Sequence, residues 1–208
     1  MKLNGIKIIF LSASYAGVGK TTFAESLQKT LPNSLVTPIA GLIRQQLTNL
    51  FLDLGEEDVV FSPDVYTKTK NVETKHFESF APFVSRELIC DYSNVLQKHL
   101  GDDVWAVIFC KMASILSQQG IKYLIVDDLR RYTELEYLKK QIGVENTLSI
   151  FLDKNDLVKP VFKGSAASFE GLLKPEDFDL TFNFDANWSN TQELLDRVHV
   201  LLNTKPTL

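Results

Sequence analysis

The sequence predicts an α/β protein: a parallel five-stranded sheet with helices on both faces, three layers in all. Three observations carry this. Apolar, β-branched runs alternate with amphipathic helical stretches along the 208 residues. The first run, "IKIIFLS", is a short apolar, β-branched run ended by small residues, which suits a buried parallel strand. Two clusters of chemically able residues, one after Ser12 and one after Val126, each follow a strand. Right-handed crossovers gather such strand-to-helix loops on one edge of the sheet.

In chain order, Ile6–Ser12 is the first strand. Lys20 to about Leu31 is a helix with Phe23, Ala24, Leu27 and Leu31 on one stripe, stopped by Pro32 and Asn33. "SLVT" is a second strand, and Ile39 to Phe51 a helix with Ile39, Leu42, Ile43, Leu47 and Leu50 on its apolar face. Residues 54–84 contain Pro63, Pro82 and a polar run, and read as an insertion or flap. A helix from Ser85 turns Leu88, Ile89, Tyr92, Val95 and Leu96 inward until Gly101 breaks it. The next, from about Asp103 to Gln118, is expected to bury Trp105, Ile108, Met112 and Ile115. "KYLIVDD" and "TLSIFLD" are strands flanking the helical "RYTELEYLKKQI". A polar stretch of about Lys154–Pro175 precedes the last strand, "DLTFNF", and a final helix around Asn190–Leu202. The chain is read as one domain, residues 1–208, with its core at 1–53 and 85–208.

Composition narrows the function. The 22 basic and 26 acidic residues give a net charge of −4. That balance argues against a general nucleic-acid coat protein, while leaving room for a local basic cleft. Cys90 and Cys110 lack the spacing of a metal knuckle or redox pair and read as reduced core thiols. The apolar run near the N-terminus is too short for a membrane span and no small-residue cleavage site follows it. The expectation is a cytoplasmic protein.

The segment "SASYAGVGKTTFAE" (Ser12–Glu25) joins strand to helix and carries the strongest signal. Phosphate recognition needs several backbone N–H groups converging on the anion, a lysine on the terminal phosphates and a hydroxyl for magnesium. The loop from Ser14 through Ala16, Gly17, Val18 and Gly19 supplies the first, Lys20 the second and Thr21 the third. Thr22 lies in the first turn, where orphan N–H groups and the helix dipole favour an anion. Ser14 stands where the standard pattern has its first glycine, which a serine of negative φ can do. Against the adenylate-kinase form G-x-P-G-x-G-K-x-T, the loop matches at Gly17, Gly19, Lys20 and Thr22, and departs at Ser14 and Ala16.

"LIVDD" (Leu124–Asp128) delivers carboxylates to the metal side of such a loop. Strand alternation turns only one of Asp127 and Asp128 toward the metal, and the register is open. Arg130 and Arg131 follow, cations able to neutralise charge on a transferred phosphoryl group.

From Ser85 to Glu134 the chain resembles the bacteriophage-type deoxynucleoside monophosphate kinases, P-loop relatives of adenylate and thymidylate kinases. "SRELICDYSNVLQKHLGDDVWAVIF" and "YLIVDDLRRYTE" are similar to the family's Arg-Glu-Leu helix, Gly-Asp/Glu-Asp-x-Trp turn and Asp-Val-Arg-Phe-x-Asn-Glu strand end. Arg86, Trp105, Asp128, Arg130 and Glu134 match position by position. "TPIAGLIRQQL", with Arg44, resembles the segment facing the acceptor phosphate, and Ser168–Val198 resembles the family's ending. The departures are "RYTE" for Phe-Pro-Asn-Glu, a Ser-Glu turn interrupted by Phe169, and Ser14 itself. A second register, against the Asp-Gly-Phe-Pro-Arg of adenylate kinases, would make Asp127 and Arg131 the functional pair.

The resemblance implies a P-loop NTPase fold of the nucleoside monophosphate kinase type. It implies transfer of the γ-phosphoryl of ATP, with Mg²⁺, to a (deoxy)nucleoside monophosphate. Lys20, Asp128, Arg130 and Arg131 would then be catalytic; Arg44, Arg86 and Trp105 would bind the acceptor; Thr21, Asp127 and Asp128 would serve the metal. Residues 39–84 would form the acceptor-binding and flap region, and about 154–177, with Lys159 and Lys163 and without cysteines for zinc, a lid. Two rivals share the loop. One is a kinase for a hydroxyl on a nucleoside, a modified DNA base or a metabolite, with Asp64, Glu87, Asp127 or Asp128 taking the proton. The other is a nucleotide-binding switch. Partners are expected to be small nucleotides, with nucleic acid relevant only if the acceptor is a DNA base. The helices around Trp105 would serve a core or a homodimer equally well, and a phage-encoded chain would work in the host cytoplasm.

Overall fold

Five strands set the frame in the computed structural model, which describes residues 5–15, 17–53, 86–155 and 173–204. They are β1 (Lys7–Ala13), β2 (Ser34–Val36), β3 (Tyr123–Val126), β4 (Thr147–Lys154) and β5 (Leu180–Phe184). Every pairing is parallel and the order is β2-β3-β1-β4-β5. The helices are α1 (Lys20–Thr30), α2 (Ile39–Asp53), α3 (Arg86–Leu100), α4 (Val104–Gln118), α5 (Tyr132–Ile142) and α6 (Thr191–Thr204). Outside the described residues lie Ala16, the flap 54–84 with Asp64, and 156–172 with Lys159, Lys163 and Phe169.

The chain divides into two compact units. One comprises Met1–Ile39, Asp102–Val161 and Phe169–Leu208, and carries the sheet with α1, α4, α5 and α6. The other comprises Ala40–Gly101 and Phe162–Ser168, with most of α2 and all of α3. Within this second unit the Tyr92 hydroxyl of α3 donates to Gln46 Oε1 of α2 at 3.3 Å.

In the first unit β1 is buried along nearly its whole length, as are β3 and most of β4. Alternation divides their side chains between two cores. Ile9, Leu11, Ile125, Leu148, Ile150 and Leu152 meet Phe23, Ala24 and Leu27 of α1 and Leu194, Val198 and Leu202 of α6. Ile8, Phe10, Leu124 and Val126 take the other face, where α4 and α5 pack together. Helices cover both faces. β5 alternates instead, burying Leu180, Phe182 and Phe184 and exposing Thr181 and Asn183, as an edge strand covered on one side does.

Two helices, α4 and α3, differ from expectation in which side they bury, and α2 buries the expected stripe except at its end. On α4 the buried residues are Trp105, Ala106, Phe109, Cys110 and Ala113, whereas Ile115 is 56% exposed. The helix is apolar almost all round, so periodicity alone leaves its rotation open. Small Ala106, Cys110 and Ala113 allow a close approach that the bulkier stripe would prevent. On α3 Ile89, Ser93 and Gln97 are buried while Val95 is exposed. On α2 Ile39, Ile43 and Leu47 are buried and Leu50 is about half exposed. Neither cysteine is in a disulfide, and burial pushes the Cys110 thiol up to about 11. No described helix is long and apolar enough to cross a membrane.

Candidate functional site

The site begins where β1 ends. From Ala13 the chain turns through Gly17 (φ 92°) and Gly19 (φ 101°) into α1 at Lys20. Both φ values fall in the left-handed region that glycine alone enters at low cost. Gly19 has a second reason to be glycine: a Cβ built there would lie 1.6 Å from Cη2 of Trp188. Asn33 and Trp188 are the described non-glycine residues with positive φ, so Ser14 adopts the negative φ that its place in the loop permits. Helix α1 starts without an acidic side chain in its first turn. The positive end of its dipole is thus not neutralised from within.

β1 and β3 are neighbours, and the helices that follow them leave to opposite faces of the sheet. Such a divergence opens a crevice at the carboxyl ends of the strands. There Thr21 Oγ1 donates to Asp127 Oδ2 at 2.6 Å. Asp127 is buried. Asp128 points elsewhere, its Oδ1 accepting the N–H of Ile39 at 2.7 Å, where α2 begins. The two neighbouring aspartates therefore do different things: one meets the threonine after Lys20, the other holds a helix start. Next to them the Ser12 hydroxyl donates to the carbonyl of Leu129 at 3.0 Å and ties the two loops together.

Arg130 and Arg131 follow on the same edge, both half-buried. Behind them, Glu134 in the first turn of α5 is only 6% exposed. Desolvation raises its pKa to about 7; the Asp128 charge adds to the rise, and Arg131 and Arg130 oppose it. The carboxyl is thus within electrostatic reach of Asp128, Arg130 and Arg131.

The remaining candidates fall elsewhere. Trp105 is in the core of the first unit, 1% exposed. Arg44 lies on α2 and Arg86 opens α3, both in the second unit; the side chains of Arg86 and Glu87 lie outside the described residues. Sequence reasoning missed three residues at the loop itself. The Ser14 hydroxyl donates to Asp153 Oδ1 at 2.7 Å, Lys154 Nζ lies 4.5 Å from the centre of the Trp188 ring, and Trp188 packs on Gly19. Asp153 and Lys154 end an apolar strand on the motif's own edge, and that position was the available signal.

Whether magnesium fits can be judged from the donors. Mg²⁺ prefers hard oxygen ligands and usually takes one or two from protein, completing its shell with substrate phosphates and water. Thr21 Oγ1 and Asp127 Oδ2 form such a pair. Among the described residues no group of three or more His, Cys, Asp or Glu is placed to hold a metal by itself. The donor set is the sparse kind magnesium uses.

Fold and loop together define the class: a parallel α/β protein whose first strand feeds a loop with two glycines of positive φ and a helix N-terminus at the sheet's carboxyl edge. Among solved structures, that of the Deinococcus radiodurans tunicamycin resistance protein is similar to this chain, with a TM-score of 0.47 and 18% identity over 94% of each chain. No protein-family model matches the chain, and no curated protein matches its sequence.

Proposed function

We propose that the chain is an ATP-dependent phosphotransferase that converts a (deoxy)nucleoside monophosphate to the diphosphate. The single observation that carries this is the contact of Thr21 with Asp127 beneath the loop that runs from Gly17 to Lys20. It pairs a hydroxyl and a carboxylate beside an uncapped helix start, the parts that phosphoryl transfer uses. The loop N–H groups and Lys20 would bind the ATP polyphosphate, and Thr21 and Asp127 would hold Mg²⁺. When bound, the ion would neutralise charge on the transferred group. Asp128 would act on the site through α2 and through Arg130 and Arg131, which would stabilise the charge that builds on the phosphoryl in flight.

The acceptor assignment rests on the resemblance between Ser85 and Glu134. An acceptor that is already anionic needs positioning and neutralisation more than a base. Arg44 and Arg86 are the residues for that task; Trp105, being buried, would act by fixing α4 rather than by touching the acceptor. The test is incubation with γ-labelled ATP, Mg²⁺ and a panel of nucleoside monophosphates, nucleosides and a DNA oligonucleotide. Label in a nucleoside diphosphate is the expected result. Label in a nucleoside monophosphate or in DNA would replace this reading with the hydroxyl kinase. Bound ATP with no transfer would replace it with the switch.

A further inference from the structure

The end of β4 and the turn after β5 grip the phosphate loop at both of its ends. At the front, Asp153 Oδ1 accepts the Ser14 hydroxyl at 2.7 Å and its own neighbour's N–H, that of Lys154, at 2.9 Å. At the back, the Lys154 ammonium sits over the Trp188 ring, and an edge of that ring is seated on Gly19. Trp188 holds φ 61°, a conformation that costs a non-glycine residue energy and persists where its surroundings enforce it. Here Asp185 enforces it. Its Oδ1 accepts the N–H of Asn187 at 3.1 Å and of Ser189 at 2.8 Å, and its Oδ2 accepts the Ser189 hydroxyl. The Trp188 ring also lies 4.6 Å, centre to centre, from Phe184.

We propose that Asp153 and Lys154 are positioning residues that set the shape of the phosphate loop. Asp153 acts through Ser14, the residue that replaces the first glycine of the standard pattern. A serine brings a hydroxyl that must be placed, and a bond to a carboxylate draws it toward β4 and away from the loop's concave side. Lys154 acts through Trp188, pressing the ring onto Gly19. The alternative use of Trp188, as a stacking platform for a base, fits less well, because Phe184 and Lys154 already engage the ring. A loop held in its binding shape loses less entropy when the polyphosphate arrives. The inference rests on the phosphate-site part of the proposed function and is independent of the acceptor.

A double-mutant cycle tests it, with calorimetric affinity for ATP as the readout. Asp153→Asn is expected to weaken ATP binding roughly tenfold in the native background, the scale of a charge-assisted hydrogen bond. In a Ser14→Gly background, where the standard glycine is restored, the same change is expected to cost less than about twofold. Lys154→Met, which keeps the stem and removes the charge, is expected to weaken ATP by a few-fold, as a half-buried cation–π contact would. Equal losses in both backgrounds would overturn the proposal. So would a drop in melting temperature with unchanged affinity, since that is a purely structural role. Ser14→Ala serves as the second background if the glycine variant folds poorly. Native protein that binds no ATP at all would sink the phosphate-site reading and this one with it. Native binding with an additive cycle would sink this one alone.

Discussion

Lys20 opens α1 behind two glycines of positive φ, and its charge is the loop's own cation. Lys20→Ala is expected to lower the transfer rate by about 10²-fold or more, the usual cost of removing one preorganised group that stabilises transition-state charge. The paired aspartates separate in the same way. Asp127→Asn should reduce magnesium-dependent turnover by a comparable factor and leave thermal stability little changed. Asp128→Ala should cost about 1 kcal/mol of stability, since it removes the acceptor for the first N–H of α2. Equal effects of the two on magnesium dependence would contradict the geometry. Glu134 yields a pH prediction. Its folded pKa of about 7 lies above its ordinary value of 4.5, so the fold favours the neutral acid. That contribution to stability is complete below about 4.5 and declines as pH rises toward 7. Chemical denaturation across this range should show the decline, and Glu134→Gln should flatten it.

Elements were legible in the sequence to different depths. The strands and the strand–loop–helix unit of residues 6–31 could be read because their signals are local: an apolar run, glycines at fixed spacing and a stripe of Phe23, Ala24 and Leu27. The rotation of α4 could not. A helix apolar on every side leaves its buried face to be chosen by distant partners. That choice is testable. Ala113→Leu should destabilise by about 1–3 kcal/mol through overpacking, whereas Ile115→Ser should change stability by about 0.5 kcal/mol or less. The reverse order in denaturant melts would restore the stripe of Ile108, Met112 and Ile115. The choice between Asp127 and Asp128 was illegible for a related reason. Alternation says that they part company, but which one meets Thr21 depends on the register of β3 against β1. The grip of Asp153 and Trp188 on the loop joins residues far apart in the chain, and its one local trace is the position of Asp153 at the end of an apolar strand.

For the whole molecule, the proposed function asks a chain of net charge −4 to bind two polyanions side by side. The sheet does this by collecting cations at one edge. Lys20 and the pair Arg130 and Arg131 all follow strands there, while acidic residues such as Glu25 and Glu136 lie exposed on helices. Global charge then governs solubility and local charge governs the ligand. Arg44 and Arg86, on the two helices of the second unit, are the residues that the proposal assigns to the acceptor. Arg86→Ala is expected to raise the acceptor KM about tenfold or more while leaving the KM for ATP near native, by the scale of a lost charge-assisted contact. The most direct test of the account is the stoichiometry of coupling: ADP and nucleoside diphosphate quantified together as nucleoside monophosphate is added to enzyme, ATP and Mg²⁺. The two products are expected to form in equal amounts, with ADP formation dependent on the acceptor. ADP produced at the same rate without acceptor, or no diphosphate with any of the nucleotides, would contradict it.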